Sequence, residues 1–225
     1  MASGSMNLYL DTPIAESAAF HLNLEGIGGN WDVANHVGLS PLNADSGSLQ
    51  STEGVDVLQI REAKVEARFL DDKLLTYIGK IDPTVYFDKN KVANDEETQF
   101  LAYGLAHNQA LTDVFGRSYV PGIGVQYSCD DCIEGLTLGA GAFSRDNSGD
   151  HIADNLVAIL EADYMTDILG NDGNYRIYVY SAGLEGTPDD SMPADYNVYD
   201  DDMTLGFGVS ADQKISERIT LFSRF

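Results

Sequence analysis

Residues 64–70, KVEARFL, decide the fold predicted for this chain of 225 residues. Three apolar and three charged side chains alternate there, in the order Lys64, Val65, Glu66, Ala67, Arg68 and Phe69. Successive side chains of a β-strand point to opposite faces of the sheet, so the stretch predicts a strand with one apolar and one charged face. A water-filled lumen accommodates long charged side chains on one face, and such a strand is typical of a barrel wall.

The same alternation recurs along the chain and predicts about ten strands. They lie near residues 7–11, 19–27, 57–71, 73–82, 122–128, 136–144, 156–166, 174–182, 203–214 and 218–225. Short links such as 71–72 and 167–173 separate some strands, whereas long polar links such as 28–54 and 183–202 separate others. Short turns at one end and long loops at the other predict an all-β, antiparallel transmembrane β-barrel. Tyrosines and phenylalanines near the strand ends suit an aromatic girdle, and a soluble antiparallel sandwich is the alternative.

The charge of the chain limits its partners. It carries 36 acidic and 13 basic residues, for a formal net charge of -23. Such a chain has little with which to neutralise phosphates, so nucleic acid is not an expected partner. The sequence contains no apolar run of about 18 residues, the length of a membrane helix. Residues 1–6, MASGSM, lack the features of a signal peptide, and we interpret them as a scar or leader that precedes a barrel domain over 7–225.

The two cysteines, Cys129 and Cys132, form a single CxxC between two predicted strands. Zinc requires four ligands, and neither a second CxxC nor a histidine pair accompanies this one. A redox pair is expected at the start of a helix. We therefore predict a disulfide across the turn, in an oxidising compartment, and no metal site at the cysteines.

Pairs of glycines at 122/124, 139/141 and 206/208 lie within predicted strands and are not phosphate-binding loops. Small residues at every second position leave room on one face of a sheet or permit sharp curvature. Their role is predicted to be structural.

Several segments carry a resemblance to a known family. They are residues 64–111, the stretches PGIGVQYS (121–128) and GNYRIYVYSAG (173–183), and LGFGVSADQKISERITLFSRF (205–225). Together they resemble the carbohydrate-selective porin family of bacterial outer membranes. The most specific part is the pattern GK-D-T-YFD-N--ANDE-TQFL, which begins at Gly79. The resemblance covers roughly 55–225, and more weakly the start of the chain.

The resemblance implies a barrel of sixteen strands in the outer membrane of a Gram-negative bacterium, through which sugars diffuse passively. The implied partners are small sugars and outer-membrane lipid, with a homotrimer as a possible assembly. Because this chain is shorter than the family's barrel, it is expected to be part of a longer barrel. A smaller barrel closed on fewer strands is the alternative.

The charged stretch 79–101 is too long for a turn, and we predict that a segment over 83–115 folds into the lumen and narrows it. Sugar binding requires polar hydrogen-bonding groups and aromatic faces. The predicted constriction residues are Arg61, Lys64, Glu66, Arg68, Lys80, Asp82, Tyr86, Asp88, Asn94, Asp95, Glu96 and Gln99.

Three classes of function remain open: a channel for sugars, a soluble carbohydrate-binding module and a glycosidase with paired carboxylates. No single pair of acids stands out, and no catalytic triad or phosphate loop can be read, so the chain is predicted not to be an enzyme. Acidic clusters at 146–150 and 188–202 could bind Ca²⁺ but do not match EF-hand spacing, and no cofactor is expected.

Overall fold

A computed structural model describes residues 3–29, 57–95, 99, 106–108, 111, 114–115, 119–144, 156–168, 170–183 and 203–225. In this part of the chain, ten strands form one antiparallel sheet, with the order β1 to β10 the same in space as in sequence. The strands are β1 (Ser3–Ala15), β2 (Ala18–Gly29), β3 (Val57–Phe69), β4 (Leu74–Ile81), β5 (Val120–Ser128), β6 (Leu136–Ser144), β7 (Leu156–Ile168), β8 (Asn171–Gly183), β9 (Met203–Ser216) and β10 (Ile219–Arg224). The predicted all-β, antiparallel fold is confirmed.

Six strands, β1, β2, β5, β7, β8 and β9, extend beyond the segments that alternation predicted, and β1 and β8 extend furthest. β1 begins at Ser3, so residues 3–6, interpreted above as a scar or leader, continue the first strand. β8 begins at Asn171 because its first residues pair with the end of β7, where Ile168 faces Asn171. Backbone pairing therefore carries both strands past the end of their side-chain alternation.

The connections alternate in length as predicted. Short turns join β1 to β2, β3 to β4, β5 to β6, β7 to β8 and β9 to β10, whereas longer links join the other consecutive pairs. The turn after β3 contains Asp71 and Asp72 at φ of 55° and 66°. Aspartate tolerates this left-handed backbone better than most residues. All the short turns consequently lie at one end of the antiparallel sheet, and we call this the short-turn end.

The two faces of the sheet reverse the polarity of a soluble protein. The outer face exposes apolar side chains, with Leu58 at 76% and Leu205 at 72% exposure, whereas the inner face buries Glu25 and Arg176 at 1% and 4%. In a soluble domain large apolar residues are usually buried and charged ones exposed. Lipid on the outside and polar groups inside is the arrangement of a membrane barrel wall.

The glycine pairs have the structural role predicted for them. The rings of Tyr178 and Tyr180 on β8 lie over Gly208 and Gly206 on β9, where a Cβ atom would overlap each ring. These tyrosines line the inner wall. The glycines leave room for these rings on the inner face, and the aromatic girdle at the strand ends stays a prediction.

The sheet has two edges. Among the described residues, β1 pairs with β2 alone and β10 pairs with β9 alone, so the sheet does not close on itself. The helices in the described part of the chain include none long and apolar enough to span a membrane.

Candidate pore site

The link between β4 and β5 lies against the inner face of the sheet. We call its described residues, 82–95, 99, 106–108, 111 and 114–115, the inner segment. It starts with a 3-10 helix, Pro83–Val85, which Asp82 caps by accepting hydrogen bonds from Thr84 N at 2.9 Å and Thr84 Oγ1 at 2.7 Å. Pro83 fixes the first helical φ, so the chain turns sharply off β4 at this point.

An apolar core fixes the middle of the inner segment to the sheet. Phe87, Leu111 and Phe115 are fully buried and pack in one cluster with wall residues that include Phe143. The rings of Phe87 and Phe115 each meet Phe143 edge to face, with centroids 5.8 Å and 5.4 Å apart. Since each buried aromatic side chain contributes a few kcal/mol, this contact fixes the segment against the wall.

Six polar residues from β1, β2, β3 and the inner segment form one group, which we call the Lys64 network. Its members are Asp11, His21, Glu62, Lys64, Glu66 and Tyr86. Lys64 Nζ lies 3.4 Å from both Glu62 Oε1 and Glu66 Oε1. The Tyr86 hydroxyl donates to Glu66, and Lys64 lies 5.1 Å from the centre of the Tyr86 ring. This network attaches the start of the inner segment to β3.

A bulge in β3 brings a further ion pair to the inner face. The register between β2 and β3 shifts at Asn23 and Leu24, which pair with Glu62 and Ile60. The extra residue, Arg61, is buried, and its guanidinium lies 3.0 Å from Glu25 Oε1. A bulge leaves one residue outside the alternation and re-aims its side chain, so consecutive residues 61 and 62 both contribute to inner-face contacts.

Five charged residues on the other flank form the Arg176 network, which consists of Asp88, Asp163, Arg176, Asp212 and Arg224. Arg176 lies 3.0 Å from Asp212 Oδ2 and 3.3 Å from Asp163 Oδ2. Arg224 Nε lies 2.9 Å from Asp88 Oδ2. The Asp88 backbone N–H donates to Glu161 Oε2 at 2.7 Å. This flank attaches the middle of the inner segment to β7 and β10.

Several titratable groups of the inner segment, among them Asp82, Asp88 and Lys89, have shifted pKa values. Burial raises the pKa of Asp82 to about 6, against the hydrogen bonds from Thr84 that lower it. Burial also raises the pKa of Asp88, although the charge of Arg224 opposes the shift. Burial lowers the pKa of Lys89, with the Asp163 carboxylate acting in the opposite direction. In each case desolvation of the charged form is the dominant cause.

A polar cavity of about 1070 Å³ lies between the inner segment and the short-turn end of β5 to β9. Its lining includes Lys89, Asn94 and Asp95 from the inner segment, with Arg176 and Asp212 from the wall. Donors and acceptors therefore line it together, as recognition of a hydroxylated solute requires.

The predicted constriction residues separate by where the structure places them. The structure brings together Arg61, Lys64, Glu66, Asp82, Tyr86, Asp88, Asn94 and Gln99 on or along the inner face through the contacts above and two hydrogen bonds of Gln99. Asp95 lines the cavity. Glu96 lies outside the described residues.

Two predicted residues do not join this group. Lys80 follows exposed Ile78 on β4, and its ammonium donates to the Ile60 carbonyl at 2.8 Å. Arg68 is exposed near the turn that follows β3. Their assignment to the constriction stays a prediction, and the positions suggest a smaller part in it than the other residues have.

The cysteines and the acidic loops concern other parts of the chain. Cys129 and Cys132 lie in the turn after β5 with their sulfurs in bonding contact and Cα atoms 5.4 Å apart, a separation suited to a disulfide. Loops 146–150 and 188–202, the predicted Ca²⁺ candidates, lie outside the described residues. Within the described ranges, no group of three or more His, Cys, Asp or Glu side chains has an arrangement that could hold a metal ion.

Sequence reasoning missed the Arg176 network apart from Asp88. Alternation places charged residues on β7, β8 and β9, but nothing in the sequence shows which of them meet across the sheet. Arg176 and Asp212 are 36 residues apart, and Arg224 lies 136 residues from Asp88. The available signal was that β7, β8 and β9 each carry a charged residue at a position that alternation assigns to the inner face.

Comparison with known proteins supports the architecture. Neither a protein-family model nor a curated protein matches the chain. The structure is similar to that of the porin OprB from Pseudomonas putida, determined at high pH, with a TM-score of 0.64 and 14% sequence identity. The aligned region covers 95% of this chain and 55% of that one, so the chain spans about half the length of its structural neighbour. A likeness at this identity concerns the fold, and the porin-like fold implied by the resemblance is thereby confirmed.

Proposed function

We propose that this protein is an outer-membrane porin through which small sugars diffuse passively, along a polar lumen narrowed by residues 80–101. The bacterial outer membrane is the proposed location, and the proposed partners are small sugars in the lumen and lipid at the outer face. The assembly into a homotrimer belongs to the same proposal.

The reversed polarity of the two faces carries this proposal. In water, the exposed side chains of Leu58, Leu205 and Phe207 would favour aggregation, whereas in lipid they are solvated. On the other face, Glu25 and Arg176 are buried beside charged partners. A wall between lipid and a polar interior places each of these faces against the surroundings that solvate it.

The inner segment gives the proposed channel its selectivity. It crosses the inner face from Glu62 on β3 to Arg224 on β10, so a solute that follows this face must pass it. Donors such as Lys89 and acceptors such as Asp95 face the cavity beside it. Neutral sugars are rich in hydroxyl groups and can use both, and discrimination in a pore requires such a constriction.

The other two classes of function are less well supported. A carbohydrate-binding sandwich needs two packed sheets, whereas the described strands form one sheet in which each strand pairs with its neighbours in the chain. The porin-like fold also points to transport and away from the glycosidase.

Planar-bilayer conductance of the detergent-refolded chain, with a sugar titration, tests the proposal. We expect discrete conductance steps that sugars partly block. Steps without any sugar effect would contradict the sugar selectivity. No steps from a folded chain in detergent would contradict the closed channel and favour a non-conducting porin fragment, and a monomer that is soluble without detergent would favour the binding module.

A further inference from the structure

We propose that Arg224, on the last strand, is the positioning residue that holds both arms of the inner segment in place and thereby sets the solute discrimination of the pore. The second part of this inference rests on the function proposed above, whereas the first part does not.

The contacts of Arg224 are concentrated on the inner segment. Its Nη2 donates to the Asp88 carbonyl at 2.8 Å and to Asn94 Oδ1 at 3.1 Å, and its Nη1 donates to the carbonyls of Ala93 and Ala106. The Asp88 carboxylate adds an ion pair at 2.9 Å. One side chain therefore binds four residues of the inner segment.

These contacts join two arms that are distant in sequence. Asp88, Ala93 and Asn94 belong to the part that leaves β4, whereas Ala106 belongs to the part that returns toward β5. Two further hydrogen bonds tie Gln99 to the part that leaves β4. Asn94 N donates to Gln99 Oε1 at 2.6 Å, and Gln99 Nε2 donates to the Lys91 carbonyl at 2.9 Å. The position of these predicted constriction residues thus depends on Arg224.

The chemistry of arginine suits this role. A planar guanidinium offers five N–H donors in a fixed fork, whereas a lysine ammonium is a single point of charge. The side chain of Arg224 is only 8% exposed and that of Asp88 only 4%. Little water is available there to replace a lost contact, so removal of the guanidinium leaves several acceptors of both arms unpaired.

Limited proteolysis of the detergent-folded protein tests the positioning role without any assumption about transport. Trypsin can cleave after Lys89 and Lys91, close to the Arg224 contacts, and mass spectrometry locates the cuts. We expect R224Q to raise the rate of cleavage at these two sites by about tenfold, as local opening becomes easier. R218Q is the matched control, because Arg218 is an exposed arginine in the turn before β10, and it should leave the rate unchanged.

Two further variants keep the test decisive if R224Q folds poorly. The double variant D88N/R224Q removes the buried charge that R224Q leaves behind, so it should fold while the two sites stay open to trypsin. R224K keeps the charge but not the fork, and we expect it to restore only part of the protection. Wild-type cleavage rates in either variant, or failure of all three to fold, would overturn the positioning role.

Bilayer recordings then test the effect on solutes. If the wild-type channel conducts and sugars block it, R224Q should raise the half-blocking sugar concentration by about tenfold, the loss expected when a few contacts are misplaced. An unchanged half-blocking concentration, in a variant that trypsin cleaves faster, would refute the link to discrimination and leave the positioning role intact. A wild-type chain that does not conduct would refute the proposed function, and with it this second part, but would not alter the proteolysis result.

Discussion

The two polar flanks of the inner face hold the inner segment with different chemistry. The Lys64 network uses a lysine, a histidine and a tyrosine, and two of its members are partly accessible, with His21 at 29% and Glu66 at 21% exposure. The Arg176 network uses two arginines and three aspartates, and the side chains of Arg176 and Asp212 are each only 4% exposed.

This difference decides how each flank responds to damage. Glu66 has three partners, His21, Lys64 and Tyr86, so loss of one leaves the carboxylate paired. In the Arg176 network, by contrast, one guanidinium serves both Asp163 and Asp212, and burial makes an unpaired charge costly. We therefore expect substitutions in the first flank to cost less stability than substitutions in the second.

The substitution R176Q should have the largest effect on the free energy of unfolding. It leaves the Asp163 and Asp212 carboxylates without their cation, and the loss of one partner of a buried ion pair costs about 3 to 5 kcal/mol. Urea unfolding in detergent micelles measures the change in the free energy of unfolding.

The control for R176Q is R68Q, because Arg68 is exposed and its loss should change the unfolding free energy by less than about 0.5 kcal/mol. Equal losses for R176Q and R68Q would show that burial does not separate the two sites.

The substitution D82N tests whether the inner segment contains a pH-dependent group beside the Lys64 network. The pKa of Asp82 is raised from 3.8 to about 6 by burial, so its contribution to stability is full below pH 3.8 and is lost as pH rises through about 6. Asparagine keeps an acceptor for Thr84 but does not ionise. We expect D82N to match the wild type near pH 4 and to exceed it by up to about 3 kcal/mol near pH 7.

Unfolding free energies at a series of pH values measure this difference. The charged groups around Asp82 include Glu62 and His107, so E62Q is the control that separates a neighbour's titration from that of Asp82. A difference between D82N and the wild type that does not vary with pH would contradict the assignment.

The fold could be predicted because strand alternation is a local property. Each strand shows its two faces in its own residues, as in residues 64–70, and the lengths of the links show which end of the sheet each link occupies. The predicted boundaries of β6, residues 136–144, coincide with those observed. No long-range information was needed for this level of the structure.

The pairing of charges could not be predicted because it depends on register. A shift of one residue moves a side chain to the other face, and the bulge at Arg61 makes such a shift inside β3. For the same reason the sequence did not show that Lys80 would bind the Ile60 carbonyl on the strand beside it. The inner segment was recognised as an insertion, but its attachment to Arg224 joins residues more than 100 positions apart.

The substitution Y86F should show how far the Lys64 network adapts. It removes the hydroxyl that donates to Glu66 but keeps the ring, which stacks on Tyr77 with centroids 3.6 Å apart. Because Lys64 still neutralises Glu66, we expect a loss of only about 1 kcal/mol in the free energy of unfolding. A loss as large as that of R176Q would contradict the difference between the flanks.

The substitution K89Q should have the smallest effect on stability and a measurable one on ion selectivity. Lys89 is half-buried and lines the polar cavity, and its ammonium makes no hydrogen bond or ion pair with any residue that the structure describes. Burial already lowers the pKa of Lys89, so removal of the charge also removes a desolvation cost. The free energy of unfolding should therefore change by less than about 0.5 kcal/mol.

The same substitution should change ion selectivity. In a channel, loss of a cation from the lining favours cations relative to anions. The reversal potential in a KCl gradient should therefore shift toward cation selectivity, whereas K73Q, at an exposed turn lysine paired with Asp131, should leave it unchanged. An identical reversal potential for K89Q and K73Q would show that ions do not pass the cavity. The ion path along the inner face would then have to avoid the Arg176 network.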